Sequence, residues 1–350
     1  MGTQVWNKTC LNSLPSPIGK TREELLHIVL SEEYGFLPDA PFSIEADVIS
    51  RDEIFCAGKA FLERIILTCH TKYGDFTFPL NFTCPVGQNE PVPCVVHINF
   101  RDLVPDKYEL SEEIVDEGYA VLSFCYENIS SDNGDFTNGL AGLVYPQGTR
   151  QPDDCGKIGL WAWAASRVMD YALTRTEINH SRISVAGHSR LGKTALLTGA
   201  LDERFYCAYS NDSGCSGAAI TRGKRGESIR KIYEVFGYWF CENYGRHIDR
   251  EEEMEFDQHY LLSAIAPRHT YIGSAVEDIW ADPDKEYECC VAASVYYENL
   301  GQKGFVHPDR LPEAEEQFAE GTIGYHLRFG KHYFSRRDWQ LFLRYLKEAD

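Results

Sequence analysis

No C-x-x-C pair occurs among the twelve cysteines of this chain, so thiolate zinc sites and thioredoxin-type redox chemistry are unsupported. Basic charge is scarce: 34 Lys and Arg stand against 53 Asp and Glu, for a net charge of −19. A surface that acidic repels nucleic acid and anionic membrane, and it disfavours polyphosphate partners. No apolar run reaches the length of a membrane span. The start, MGTQVWNKTC, has neither the basic region nor the apolar run of a secretory signal. Its Met-Gly opening would suit myristoylation, but Trp6 stands where Ser or Thr is wanted. A cytoplasmic location is therefore expected for the chain as given. Free thiols fit that compartment, and Cys94, Cys125 and Cys207 fall inside apolar strand-like runs where cysteine packs as a small hydrophobe. Internal repeats, low-complexity tracts and linkers are also missing.

What is present is a full globular composition, 43% hydrophobic and 13% aromatic over 350 residues. The length permits two ordinary domains or one large one. Residues 22–32 suggest a short helix. FLERIILTCHTKYGDFTFPLNFTCP (61–85) alternates and turns at Tyr73-Gly74-Asp75, which predicts an antiparallel hairpin. Buried strands are then predicted at 91–100, 118–126, 182–187, 205–212 and 269–275, separated by helical stretches such as 157–175 and 191–201. Residues 127–154 read as a long polar loop. The alternation implies a mostly parallel, doubly wound sheet between two helical layers, with an antiparallel N-terminal edge. Ligands of such sheets sit at the carboxyl ends of the strands.

The stretch AGHSRLGKTAL (186–196) lies at such an end and admits two mechanisms. As G-x-x-x-x-G-K-[ST], through Gly187, Gly192, Lys193 and Thr194, it is a phosphate loop, with Asp212 in FYCAYSND as a magnesium ligand. Centred on Ser189, it is a strand-to-helix turn presenting a nucleophile. The second reading needs a base and an acid, in the order Ser, acid, His. Asp278 and Asp282 in VEDIWADP and His332 in FGKHYFSRRDW supply that order. The usual G-x-S-x-G spacing is broken, because Leu191 occupies the second Gly position. His326 competes with His332 as base. His188, His259 and Asp257 read as scaffold, as does at least one of Trp161 and Trp163.

GHSRLGK, SNDSGCSGAA, RGE, FDQHYLLSAIAPR, EDIWADP and the GKH…DW ending together resemble the glucuronoyl esterases, from about residue 90 to the C-terminus. That resemblance implies an α/β-hydrolase fold as one domain over 1–350, with 1–60 as an N-terminal extension and 226–262 as a helical insertion near the site. It implies hydrolysis of (4-O-methyl-)glucuronoyl esters joining xylan to lignin alcohols through an acyl-enzyme. Ser189 would be the nucleophile, His332 the base and Arg190 the oxyanion stabiliser. Lys193, Glu227 and Trp280 would bind the sugar. The family's acid occurs after either of two strands, here Asp212 or Asp278. Asp278 is preferred because Asp212 is short for the reach, and the place of Asp282 before a proline suits a turn. The same residues would also serve a sugar O-deacetylase of acetylxylan-esterase type, a sugar-binding pseudoenzyme being less favoured. No metal or cofactor is called for, and a monomer acting on a carbohydrate ester, a glucuronoxylan fragment, is expected.

Overall fold

A computed structural model describes Trp6 and residues 8–349; Met1 and Gly2, weighed above for acylation, lie outside them. Ten strands form one sheet: β1 Ser43–Ile54, β2 Ala60–Thr71, β3 Gly74–Pro85, β4 Val92–Asn99, β5 Ala120–Cys125, β6 Ile178–His188, β7 Cys207–Asn211, β8 His269–Ala275, β9 Glu316–Phe318 and β10 Ile323–Arg328. Their order across the sheet is β1-β2-β3-β5-β4-β6-β7-β8-β10-β9. The first three strands and β5 pair antiparallel. Strands β5, β4, β6, β7, β8 and β10 run parallel, and β9 closes the far edge antiparallel.

The central strands form where the sequence places uninterrupted buried runs. Every residue of β5, β7 and β10 is buried. Such strands need cover on both faces. One buried cluster packs helices Lys157–Ala172, Arg190–Leu201 and Pro283–Asn299 against the sheet. A second cluster on other strand residues takes helix Arg336–Glu348 through Trp339, Phe342, Leu343 and Leu346. Trp161 and Trp163 are both buried, and their indole nitrogens donate to the carbonyls of Ser130 and Asp39. None of the twelve cysteines is in a disulfide. Among the described residues no helix is long and apolar enough to cross a membrane.

Several regions depart from the sequence reading, among them 127–154, which contains helix Gly139–Val144 instead of being loop throughout. Within the N-terminal stretch, β1 extends the sheet although almost all of its residues are exposed. The helix there ends at Val29, and a π-turn over Leu30–Tyr34 carries Glu33 into the interior. Residues 226–262 are not mainly α-helix: helix Ile229–Phe236 gives way to 3-10 turns at Gly237–Trp239, Glu242–His247 and Glu251–Glu253 before a short helix, His259–Ser263. The aromatic side chains of this stretch are spent on packing, and their spacing does not build one continuous amphipathic face.

Candidate active site

Gly187, the next-to-last residue of β6, stands where nothing larger fits: a Cβ there would lie 2.1 Å from the carbonyl oxygen of Leu191. Ser189 follows with φ 58° and ψ −126°, a left-handed conformation forced on a residue with a side chain. Its N–H donates to the carbonyl of Asn211 on β7, at 2.8 Å, and its carbonyl accepts from the N–H groups of Gly192 and Lys193. The turn thus projects Ser189 at the start of helix Arg190–Leu201. Gly192 lets that helix come close, since a Cβ would meet Ser210 Oγ at 2.8 Å and Ser213 Cβ at 3.1 Å. Leu191, in place of the usual second glycine, is fully buried in the core.

The phosphate-loop reading fails on these contacts. The N–H groups of Gly192 and Lys193 that would hold phosphate already bond to the Ser189 carbonyl. Lys193 Nζ, which would reach a phosphate, donates to the carbonyls of Ser213 and Cys215, the latter at 2.7 Å. Asp212, the magnesium ligand of that reading, is engaged by Arg328.

Asp278, three residues past β8, and His332, four past β10, meet: His332 Nδ1 donates to Asp278 Oδ2 at 2.6 Å. Burial works against the charge of Asp278, but the hydrogen bond and the charge of His332 outweigh it and hold the carboxyl below the usual range. Asp278 Oδ1 also accepts from the Ala281 N–H. Asp212 directly follows β7, with φ 45°, and is buried. Its Oδ2 accepts from Arg328 at 3.1 Å and from the Tyr333 N–H, while Oδ1 is buried without a partner among the described residues. Burial pushes this carboxyl well up, against the pull of Arg328. Asp282 lies elsewhere: it precedes helix Pro283–Asn299 without a side-chain capping bond and takes Arg225 on both oxygens. His326 is fully buried, with Nδ1 on Tyr271 and Nε2 on Asp338, so both nitrogens are occupied away from the cleft. His188 packs its ring 4.5 Å from that of His332. Its Nδ1 bonds Asn211 Oδ1, and burial, with the nearby His332, pushes it down to about 3, so it stays neutral. His259 bonds the Pro15 carbonyl, and Asp257 ties Thr221 to Arg222; both are scaffold.

A cleft of about 340 Å³ joins these groups. Ser189, Arg190, Lys193, Glu227, Trp280 and His332 line it, with Asp212 and Asp278 at its floor. Phe236 and Trp239, from the residues past 226, form a wall. Neither was singled out in the sequence, where they sit in an ordinary aromatic run. Trp280 is 53% exposed and donates Nε1 to Glu227 Oε1 at 3.2 Å, while Glu227 itself is buried. Gly226 permits this junction, with φ 68° and a virtual Cβ 2.5 Å from the Ile279 carbonyl. Arg190 lies against Trp239, 4.9 Å from guanidinium carbon to ring centroid, and its NH1 pairs with Asp132 from the long polar loop. Nothing in the spacing of that loop marks Asp132.

Among the described residues, Asp212, Asp278 and His332 are the one grouping that brings three metal-ligating atoms within 4.8 Å of one another. The hydrogen bond within His332–Asp278 and the Arg328 cation on Asp212 occupy these groups. The arrangement suits proton transfer better than a cation.

An elbow serine and a histidine–carboxylate pair at the carboxyl ends of a parallel sheet define an α/β-hydrolase. The family described as "Glucuronyl esterase, fungi" matches residues 65–301. A carbohydrate esterase, MZ0003, from an unknown prokaryotic organism is 39% identical over 236 residues, 67% of this chain and 54% of that protein. The match thus spans about half the length of that curated relative. The 4-O-methyl-glucuronoyl methylesterase 1 of Wolfiporia cocos is 26% identical over 291 residues, 80% of this chain and 67% of its own. The solved glucuronoyl esterase from Solibacter usitatus superposes with a TM-score of 0.86 at 31% identity, covering 94% of this chain and 92% of its own. The chain belongs to the glucuronoyl esterase family.

Proposed function

We propose that this protein is a serine esterase that hydrolyses (4-O-methyl-)glucuronoyl esters, with glucuronate of xylan as the acyl part. The observation that carries the reading is one cleft holding the strained Ser189, the His332–Asp278 pair and Arg190 beside polar and aromatic sugar-sized walls. Family membership supports glucuronate as the acyl group.

Ser189 Oγ attacks the ester carbonyl while His332 Nε2 takes its proton. Asp278 holds the imidazole through Nδ1 and stabilises its cationic form. The carbonyl oxygen gains charge as the tetrahedral intermediate forms. Arg190 and the free N–H groups at the start of its helix stabilise that charge more than the neutral ester. The C–O bond to the alcohol breaks and His332 returns the proton to the leaving oxygen. Water, deprotonated by the same imidazole, then cleaves the acyl-enzyme, releasing glucuronate and restoring the serine. Lys193 keeps one ammonium N–H beyond its two carbonyl bonds, and Glu227 keeps Oε2 beyond Trp280. These are the free polar atoms for sugar hydroxyls, and Trp280 offers a ring face.

Hydrolysis of benzyl glucuronate and of 4-nitrophenyl acetate by wild type and Ser189→Ala tests this. Serine-dependent glucuronate release well above acetate release is expected. Acetate release without glucuronate release would replace the proposal with an O-deacetylase.

A further inference from the structure

Asp132 is 58 residues from Arg190 in sequence and nearly buried, with 7% of its side chain exposed. Its Oδ2 accepts from Arg190 NH1 and, at 3.0 Å, from the Tyr126 hydroxyl. Its Oδ1 accepts from Trp239 Nε1 at 2.7 Å, and its backbone carbonyl accepts from the Tyr238 hydroxyl at 3.1 Å. The carboxylate therefore holds both the guanidinium and the indole that the guanidinium lies against. That indole is itself fixed by stacking on Phe236, with centroids 4.1 Å apart and planes 7° from parallel. Arg190 Nε, by contrast, is buried and has no partner among the described residues. One edge of the cation is occupied and another is left unspent.

We propose that Asp132 is the positioning residue for Arg190: it fixes which donors of the guanidinium face the reacting carbonyl, and through Trp239 it couples them to the wall of the acyl pocket. The inference rests on the proposed oxyanion role of Arg190. A carboxylate beside that cation weakens the field felt by an oxyanion, so charge alone would make Asp132 a hindrance. Its contribution is geometric. An arginine on a long flexible side chain must otherwise be ordered during the reaction, whereas a donor already held in place needs no reorganisation then. A misplacement of about 1 Å in such a group costs about a hundredfold in rate. The two effects have opposite signs, so the direction of the change on removing the charge decides between them.

The test compares wild type, Asp132→Asn, Arg190→Ala and the double variant on benzyl glucuronate, reading kcat and KM separately. Arg190→Ala is expected to lower kcat by about 10²–10³-fold. Asp132→Asn should lower kcat by up to about a hundredfold, with KM much less affected. The double variant should be no slower than Arg190→Ala, because Asp132 acts through that side chain. Trp239→Phe keeps an aromatic ring to stack on Phe236 and removes the donor to Asp132, together with part of the ring area that lies against Arg190. It should give a smaller fall in kcat that also vanishes in the Arg190→Ala background, so the proposal stays testable if Asp132→Asn folds poorly. Near-wild-type activity of Arg190→Ala would remove the oxyanion reading itself. A slow Arg190→Ala with a further, multiplicative loss in the double variant would overturn the role of Asp132 alone. So would an unchanged or raised kcat in Asp132→Asn, or an unchanged kcat in Trp239→Phe.

Discussion

Replacing Glu33 by Gln should change how stability depends on pH without altering the cleft's catalytic groups. Glu33 is fully buried, its Oε2 accepting from Gln258 Nε2 at 2.9 Å. Among the described residues neither its Oε1 nor Gln258 Oε1 has a hydrogen-bond partner. Burial pushes this carboxyl from its ordinary 4.5 up to about 8, against a weaker opposite pull from the Gln258 amide and the Lys193 charge. In the unfolded chain the same group ionises near 4.3. Between those values the folded state holds a proton that the unfolded state has released. The contribution of this group is therefore full below about pH 4.5, falls as pH rises, and levels off above about pH 8. The interval corresponds to a ceiling of about 5 kcal/mol, but only about 1 kcal/mol of it has been lost by pH 5. The amide of the Glu33→Gln variant stays neutral throughout, so that protein should escape the fall. Its contact changes add an offset that does not vary with pH. Urea unfolding of both proteins at pH 5, 6, 7 and 8 reads the difference directly. The variant should gain roughly 2–4 kcal/mol relative to wild type between pH 5 and 8. Parallel stability curves across that range would refute a protonated buried Glu33.

Asp278→Asn should lower kcat by on the order of 10⁴, since it leaves the imidazole without its charged partner. Asp212→Asn should cost far less, because Arg328 and the Tyr333 N–H hold its Oδ2; steady-state kinetics of the two variants separate them. Gly192→Ala forces a Cβ to within 2.8 Å of Ser210 Oγ, and should destabilise the fold by about 1–3 kcal/mol in thermal unfolding. Buried Asp338 is held down to about 2, since its bonds to His326 and Ser335 and the Arg328 charge outweigh the burial that opposes them. Its contribution is present above about pH 4 and lost as pH falls towards 2. Asp338→Asn should flatten that acid limb in denaturation experiments while costing about 3–5 kcal/mol at neutral pH, by leaving Arg328 without its main partner.

The parallel core was legible because its strands are continuous apolar runs that only a sheet covered on both faces can bury. The β2–β3 hairpin was legible from its alternation and from Gly74, whose φ of 126° few other residues adopt. By contrast β1, SIEADVISRDEI, gave no signal: it buries no face and is held by backbone pairing to β2. At the site, chain order identified the elbow and the two loops that meet it. Spacing could not choose between Asp278 and Asp212, since both follow a strand by a few residues and the hydrogen bond to His332 is a property of loop conformation. Lys193 stands one turn past Ser189 and lines the cleft, but its two carbonyl acceptors come from residues after β7 that helical periodicity cannot foresee. Asp132 was invisible for the same reason, as its partners are 6, 58 and 107 residues away.

Ser189, Asp212, Asp278 and His332 follow β6, β7, β8 and β10, which are consecutive neighbours in the sheet. Each chemical duty therefore hangs on its own loop, while the ladder of parallel strands beneath sets the spacing. Such a plan is modular. Hydrogen bonds between strands fix where each loop begins, and the conformation of each loop fixes where its catalytic group points. A designer wishing to change the accepted substrate could accordingly vary the wall residues past 226, which include none of these four groups, and leave the loops after the strands intact.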